Sequence, residues 1–106
     1  MPLNKEDPEI RELASDCIRY GRELRLMDHR LRLIRYVIFD RPATIESLLS
    51  AYQTRSLPMD VAEMHLDWLL DKGVLELKGE EYILTDDFYH LVREVHPMLL
   101  DGGFKS

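Results

Sequence analysis

Four carboxylates, Asp60, Glu63, Asp67 and Asp71, recur at intervals of three and four through the stretch from Pro58 to Lys72. At about 100° per residue of helix, with Ala62 set at zero, Leu66, Leu69 and Gly73 fall within about 40° of it, and the four acids fall between about 100° and 180°. The stretch therefore has an apolar side and an acidic side. Such a stripe repels phosphate; it either serves as a solvated face or attracts a basic or metal-bearing partner. Trp68, at about 240° between the two sides, is a core-edge or interface residue.

Other side chains with chemical potential do not assemble into a reactive set. His29, His65, His90 and His96 stand apart, and only His90 has carboxylates one helical turn away, in Asp86, Asp87 and Glu94. That spacing occurs on any charged helix face, so no metal site is predicted. His65, at about 300° on its helix, borders the core as a structural histidine. The single Cys17 lies on an apolar stripe and reads as a small core residue in a reducing compartment. There is no Gly-rich phosphate loop, no Gly-x-Ser-x-Gly elbow and no Cys-x-x-Cys pair. The sequence thus predicts a non-enzymatic protein with no catalytic residue and no cofactor.

The arginines form a second group. Ile10, Leu13, Cys17, Tyr20, Leu24, Met27, Leu31, Ile34 and Ile38 alternate by three and four, one stripe at a heptad period. With Ile10 at position a, Arg11, Arg25 and Arg32 take b, Arg19 takes c and Arg22 takes f, all away from that stripe. This outward band is either a solvated face laced to Glu12, Asp16 and Glu23, or a set of nucleic-acid contacts through Arg19, Arg22, Arg25 and Arg32.

Composition bounds what these residues sit on. The chain has 106 residues, 45% hydrophobic and 32% charged, enough for one globular domain with its own core. The net charge of −6 is unevenly spread: 11–41 holds eight Arg against five acids, and 42–106 holds five basic residues against twelve acids. No apolar run reaches the ~18 residues of a membrane span, and the first residues lack the pattern of a signal peptide. A cytoplasmic protein without membrane contact is expected.

Local signals place the elements. Asp7 and Pro8 open a helix over 8 to 26, and a second helix follows from about 28 to 40, joined to the first or kinked at Gly21 or Asp28. Thr44 caps a short helix that carries Ile45, Leu48, Leu49 and Tyr52 inward. Pro58 opens the next helix at its first position, and Gly73 ends it in the left-handed conformation. Val74 to Leu77 and Glu81 to Leu84 form a hairpin around Lys78-Gly79-Glu80. Thr85 caps a last helix whose apolar stripe is Phe88, Leu91, Val92 and Val95, ended or bent by Pro97.

The resulting fold class is mostly α with a small β-hairpin (α+β). The residues also carry a family likeness. Asp28-His29-Arg30-Leu31-Arg32-Leu33-Ile34 and Pro42-Ala43-Thr44-Ile45-Glu46-Ser47-Leu48 resemble the opening of winged-helix regulators of the ArsR and MarR kind. Leu66 to Leu75 is similar to the end of their recognition helix, and Tyr82-Ile83-Leu84-Thr85 to their last wing strand. A fainter likeness, through Leu66 to Val74, is to small winged-helix proteins of Mu-like prophages. The resemblance covers about 28–95 and implies a winged-helix domain over 28–100 with a C-terminal helix; the first helix then reads as an N-terminal extension (1–27) that serves dimerisation, and 101–106 as a flexible tail. The resemblance also implies a DNA-binding transcriptional regulator, with the helix from Pro58 in the major groove.

The acidic stripe argues against that role, because DNA binding draws its general affinity from Lys and Arg. The sequence therefore favours a regulatory or assembly module acting through protein contacts, docking by Asp60, Glu63, Asp67, Trp68 and Asp71, with DNA binding as the alternative. The stripe from Ile10 to Met27 is free to pair with another chain or with the last helix, and homodimerisation is expected through Ile10, Leu13, Cys17, Tyr20, Leu24 and Met27 with help from Phe88 to Leu100. Like charges at Glu23 with Asp28 and at Arg30 with Arg35 disfavour a parallel pair.

Overall fold

Side chains close the first hydrogen bonds of three helices, and these caps set the chain's order. In a computed structural model, which describes residues 3–17, 29–39 and 41–96, five α-helices and one hairpin follow in sequence. The helices are α1 (Pro8–Asp16), α2 (His29–Phe39), α3 (Ile45–Thr54), α4 (Met59–Asp71) and α5 (Asp86–Val95). Strands β1 (Leu75–Lys78) and β2 (Glu81–Leu84) lie between α4 and α5, antiparallel, with Leu75 opposite Leu84 and Lys78 opposite Glu81.

The Asp7 carboxylate accepts the Glu9 N–H at 3.0 Å, and Pro8 has no N–H to satisfy. Thr44 and Ser47 cap each other reciprocally at the start of α3, at 2.9 and 3.1 Å. The Thr85 hydroxyl accepts the Phe88 N–H at 3.2 Å and donates to the Gly73 carbonyl at 2.6 Å. One side chain thus starts α5 and ties it to the end of α4. Gly73 adopts φ 77°, and the Val74 N–H reaches back to Leu69 O at 3.0 Å, the turn that ends α4 and launches β1.

The core is one cluster. It contains Leu33, Ile34, Val37 and Ile38 from α2, Leu48 and Tyr52 from α3, Ala62, Leu66 and Leu69 from α4, and Phe88, Leu91 and Val92 from α5. Ile10, Ala14 and Cys17 belong to the same cluster. The α1 stripe is covered by the chain itself, chiefly by α5. His96 Nε2 lies 2.7 Å from Ser15 O and links the ends of those two helices.

That arrangement takes Ile10 and Cys17 out of the expected intermolecular face. Of its six residues, Ile10 and Cys17 are fully buried within the chain and Leu13 is packed against the core, while Tyr20, Leu24 and Met27 lie outside the described residues. The physical reason is that α5 carries its own apolar stripe, Phe88, Leu91 and Val92, and the two stripes cover each other. The described part of 1–27 is accordingly part of the single core and not an appendage. The predicted helix over 8 to 26 is described as far as Asp16, with Cys17 as its cap. The predicted breaks at Gly21 and Asp28 lie outside the described residues, as does the tail over 101–106.

Two smaller differences have local causes. Pro58 is the cap and not the first residue of α4. Ile45, expected inward, is 38% exposed, because the first residue of α3 sits beyond the edge of the core.

Candidate functional site

The exposed face of α4 has the geometry that the spacing of its acids predicts. Ala62, Leu66 and Leu69 are buried, and Asp60, Glu63, Asp67 and Asp71 are all exposed. Among the described residues, none of the four carboxylates has a hydrogen bond or ion pair. Their field nevertheless reaches inward: the Tyr82 hydroxyl of β2 has its pKa raised, first by burial and then by Asp67 and Glu63.

Met64 completes this face. It is 58% exposed and falls at about 200° on the same wheel, next to Asp71 and Trp68. Met64 was not among the residues expected to dock a partner, although the phase arithmetic that locates the acids locates it too. A methionine between the carboxylates and the edge of a tryptophan makes an apolar anchor with acids along one side.

Trp68 is half-buried between α4 and α2. The Arg30 guanidinium lies 4.4 Å from its ring centre and the Lys72 ammonium 5.8 Å away. Arg30 also reaches Glu9 of α1 at 3.2 Å, so one arginine links three helices. No sequence signal pointed to Arg30, because its partner depends on how α2 crosses α4. His65 stacks on His29, with ring centres 5.6 Å apart and planes 18° from parallel, and His29 Nδ1 lies 3.0 Å from the Tyr52 hydroxyl. The His65 pKa is lowered, first by burial and then by His29 and Arg30. It lies half-buried at the core edge, as its helical position predicts.

Of the expected arginine band, Arg11 is exposed and Arg32 is not. Arg19, Arg22 and Arg25 lie outside the described residues, and Arg32 is only 7% exposed. The outward placement assumed one buried stripe. Instead α2 is the central helix, with Leu31, Leu33, Ile34, Tyr36, Val37 and Ile38 all buried, which leaves Arg32 no solvent side. Cys17 is also buried, and burial pushes its thiol up to about 12.

His90 is exposed, and among the described residues no group of three His, Cys, Asp or Glu side chains is placed to hold a metal ion. A cavity of about 220 Å³ lies away from α4, with Val37, Ile38, Ile83 and Leu84 as its apolar lining. Its charged lining is of both signs: Arg41 pairs with Glu81 at 3.4 Å, and Lys78 and Asp86 both border it. No helix among the described residues is long and apolar enough to cross a membrane. Comparison with protein-family models, with curated proteins and with solved structures gave no match to this chain.

Proposed function

We propose that this chain is a non-enzymatic winged-helix module that works by docking a basic protein partner on the exposed face of α4. The fold reading is supported by the element order and by one pairing outside the hairpin. The Tyr82 N–H donates to the Ala43 carbonyl at 2.7 Å, and Thr44 bridges Glu81. The segment before α3 thus extends the β1–β2 ribbon, as the first strand of a winged helix does. In that frame α3 and α4 are the helix-turn-helix pair, joined through Ser56 at φ 56°.

The observation that carries the functional reading is the set of four exposed, unpartnered carboxylates beside Met64, on the helix that also carries Trp68. In a major groove those acids meet phosphate and lower affinity. Against a partner with Lys and Arg around an apolar anchor they speed encounter, and Met64 and Trp68 supply the desolvated contact.

Trp68 is the chain's single tryptophan, so emission reports on this face alone. Titration with mixed-sequence duplex DNA at low salt is expected to leave it unchanged, and a panel of basic amphipathic helical peptides is expected to include members that shift it saturably. Asp67→Lys with Asp71→Lys should weaken those peptides and create salt-sensitive DNA binding. DNA binding by the unaltered chain at low micromolar concentration, falling steeply with salt, would establish the rival transcriptional-regulator reading. Silence across the whole peptide panel would remove the docking reading.

A further inference from the structure

Among the described residues, three buried polar atoms lack any hydrogen-bond partner, and all three belong to α2: Arg32 Nε, Arg35 Nη1 and Tyr36 Oη. Buried polar groups in native proteins are almost always satisfied, and a buried guanidinium without a counter-charge is among the costliest exceptions. Three on one helix call for an explanation. The Arg35 charge pulls the Cys17 pKa down against the larger effect of burial. Arg32 and Tyr36 stand one turn apart on the side of α2 that meets α3.

Among the described residues, neither the Arg32 Nε–H nor the Tyr36 hydroxyl finds a hydrogen-bond partner. Arg32 is 7% exposed and Tyr36 8%. The Tyr36 ring meets Tyr52 of α3 edge-on, with centres 6.3 Å apart. The Tyr52 hydroxyl is already engaged by His29 at 3.0 Å. Arg55, the cap of α3, sets its guanidinium 5.8 Å from the Tyr36 ring centre and is exposed, so the seam opens to solvent there. Neither Arg32 nor Arg55 has a carboxylate partner among the described residues. This occurs in a chain with net charge −6, where acids outnumber Lys and Arg by 20 to 14.

We propose that Arg32, Tyr36 and Arg55 form a binding site for a doubly charged, phosphate-type oxyanion in the seam between α2 and the C-terminal end of α3. Two guanidinium groups match two negative charges, and the tetrahedral anion presents acceptors to the Arg32 Nε–H and the Tyr36 hydroxyl together. A monocarboxylate answers only one of the two cations. The site is separate from the α4 face and does not rest on the docking reading.

The test is a titration of the ¹⁵N-labelled full chain with inorganic phosphate at neutral pH, with acetate and with sodium chloride at matched ionic strength as separate arms. The arginine Nε–Hε signals are followed. The Arg32 signal is expected to move saturably with phosphate, about tenfold more weakly with acetate, and not with chloride. Arg55→Gln, at an exposed position where the fold is not at stake, should weaken phosphate by about tenfold, and Tyr36→Phe should weaken it while keeping the ring contact. An Arg32 signal that stays still, or one that follows phosphate and chloride alike, overturns the site. Equal binding by the Arg55→Gln chain overturns it as well. Acetate binding as tightly as phosphate overturns the assignment to a dianion.

Discussion

Replacing Ile10 with alanine measures whether the first helix belongs to this chain's own core. Ile10 is 1% exposed and sits in the cluster that joins α1 to α5. Truncating a fully buried isoleucine removes its transfer free energy and leaves a cavity, at a cost of about 2–5 kcal/mol in comparable sites, so about 3 kcal/mol is expected here. For about 106 residues, 1 kcal/mol moves the thermal midpoint by about 4–5 °C, and Ile10→Ala should lower it by about 13 °C. Circular dichroism melts at two protein concentrations about a hundredfold apart supply the decisive comparison, because an intermolecular contact makes the midpoint depend on concentration. Both the unaltered chain and Ile10→Ala should melt at concentration-independent temperatures. A midpoint that rises with concentration in the unaltered chain and loses that dependence in Ile10→Ala would place the α1 stripe between two subunits and refute the packing argument. A loss below about 1 kcal/mol would do the same, because a surface isoleucine has little to lose.

Thr85→Val removes both the cap on the Phe88 N–H and the donor to the Gly73 carbonyl; a loss of about 2 kcal/mol by urea denaturation is expected, and a loss near zero would show that the link between α4 and α5 is idle. Because the folded His65 pKa is lowered from 6.5, its contribution to stability is present above pH 6.5 and is lost as pH falls below it. Stability measured from about pH 7.5 to about pH 5.5 should therefore fall, and His65→Gln should flatten that fall; an unchanged slope in the variant would exclude His65 as the sensor. With its thiol raised to about 12 and its side chain buried, Cys17 should react with a disulfide reagent at mildly alkaline pH only as fast as the chain opens, and prompt labelling of the native chain would contradict the burial.

Features governed by neighbours along the chain are legible in the amino-acid sequence. Thr44, Gly73 and Thr85 announce helix ends because a cap is a bond between residues two or three apart, or a backbone angle that one residue type adopts cheaply. The two apolar runs around Gly79 place the hairpin to within a residue. The acidic face of α4 is legible for the same reason, since helical phase is arithmetic on one segment and carboxylates seldom turn inward. The same arithmetic contains Met64, but a lone exposed methionine has no signature until its surroundings are known.

What the sequence determined by itself is therefore the set of elements, their caps and the acid stripe of α4, all set by interactions within a turn or two. Tertiary structure alone decided which stripe covers which. The heptads of α1 carry no label distinguishing α5 of the same chain from a second copy, because hydrophobic burial is non-directional and satisfied by any apolar face of the right shape. It also decided that α2 is enclosed, which turned Arg32 from a predicted outward charge into a buried one with an unpartnered Nε. Arg30 over Trp68 and His29 against His65 likewise follow from the crossing of α2 with α4, at sequence separations where no periodicity speaks.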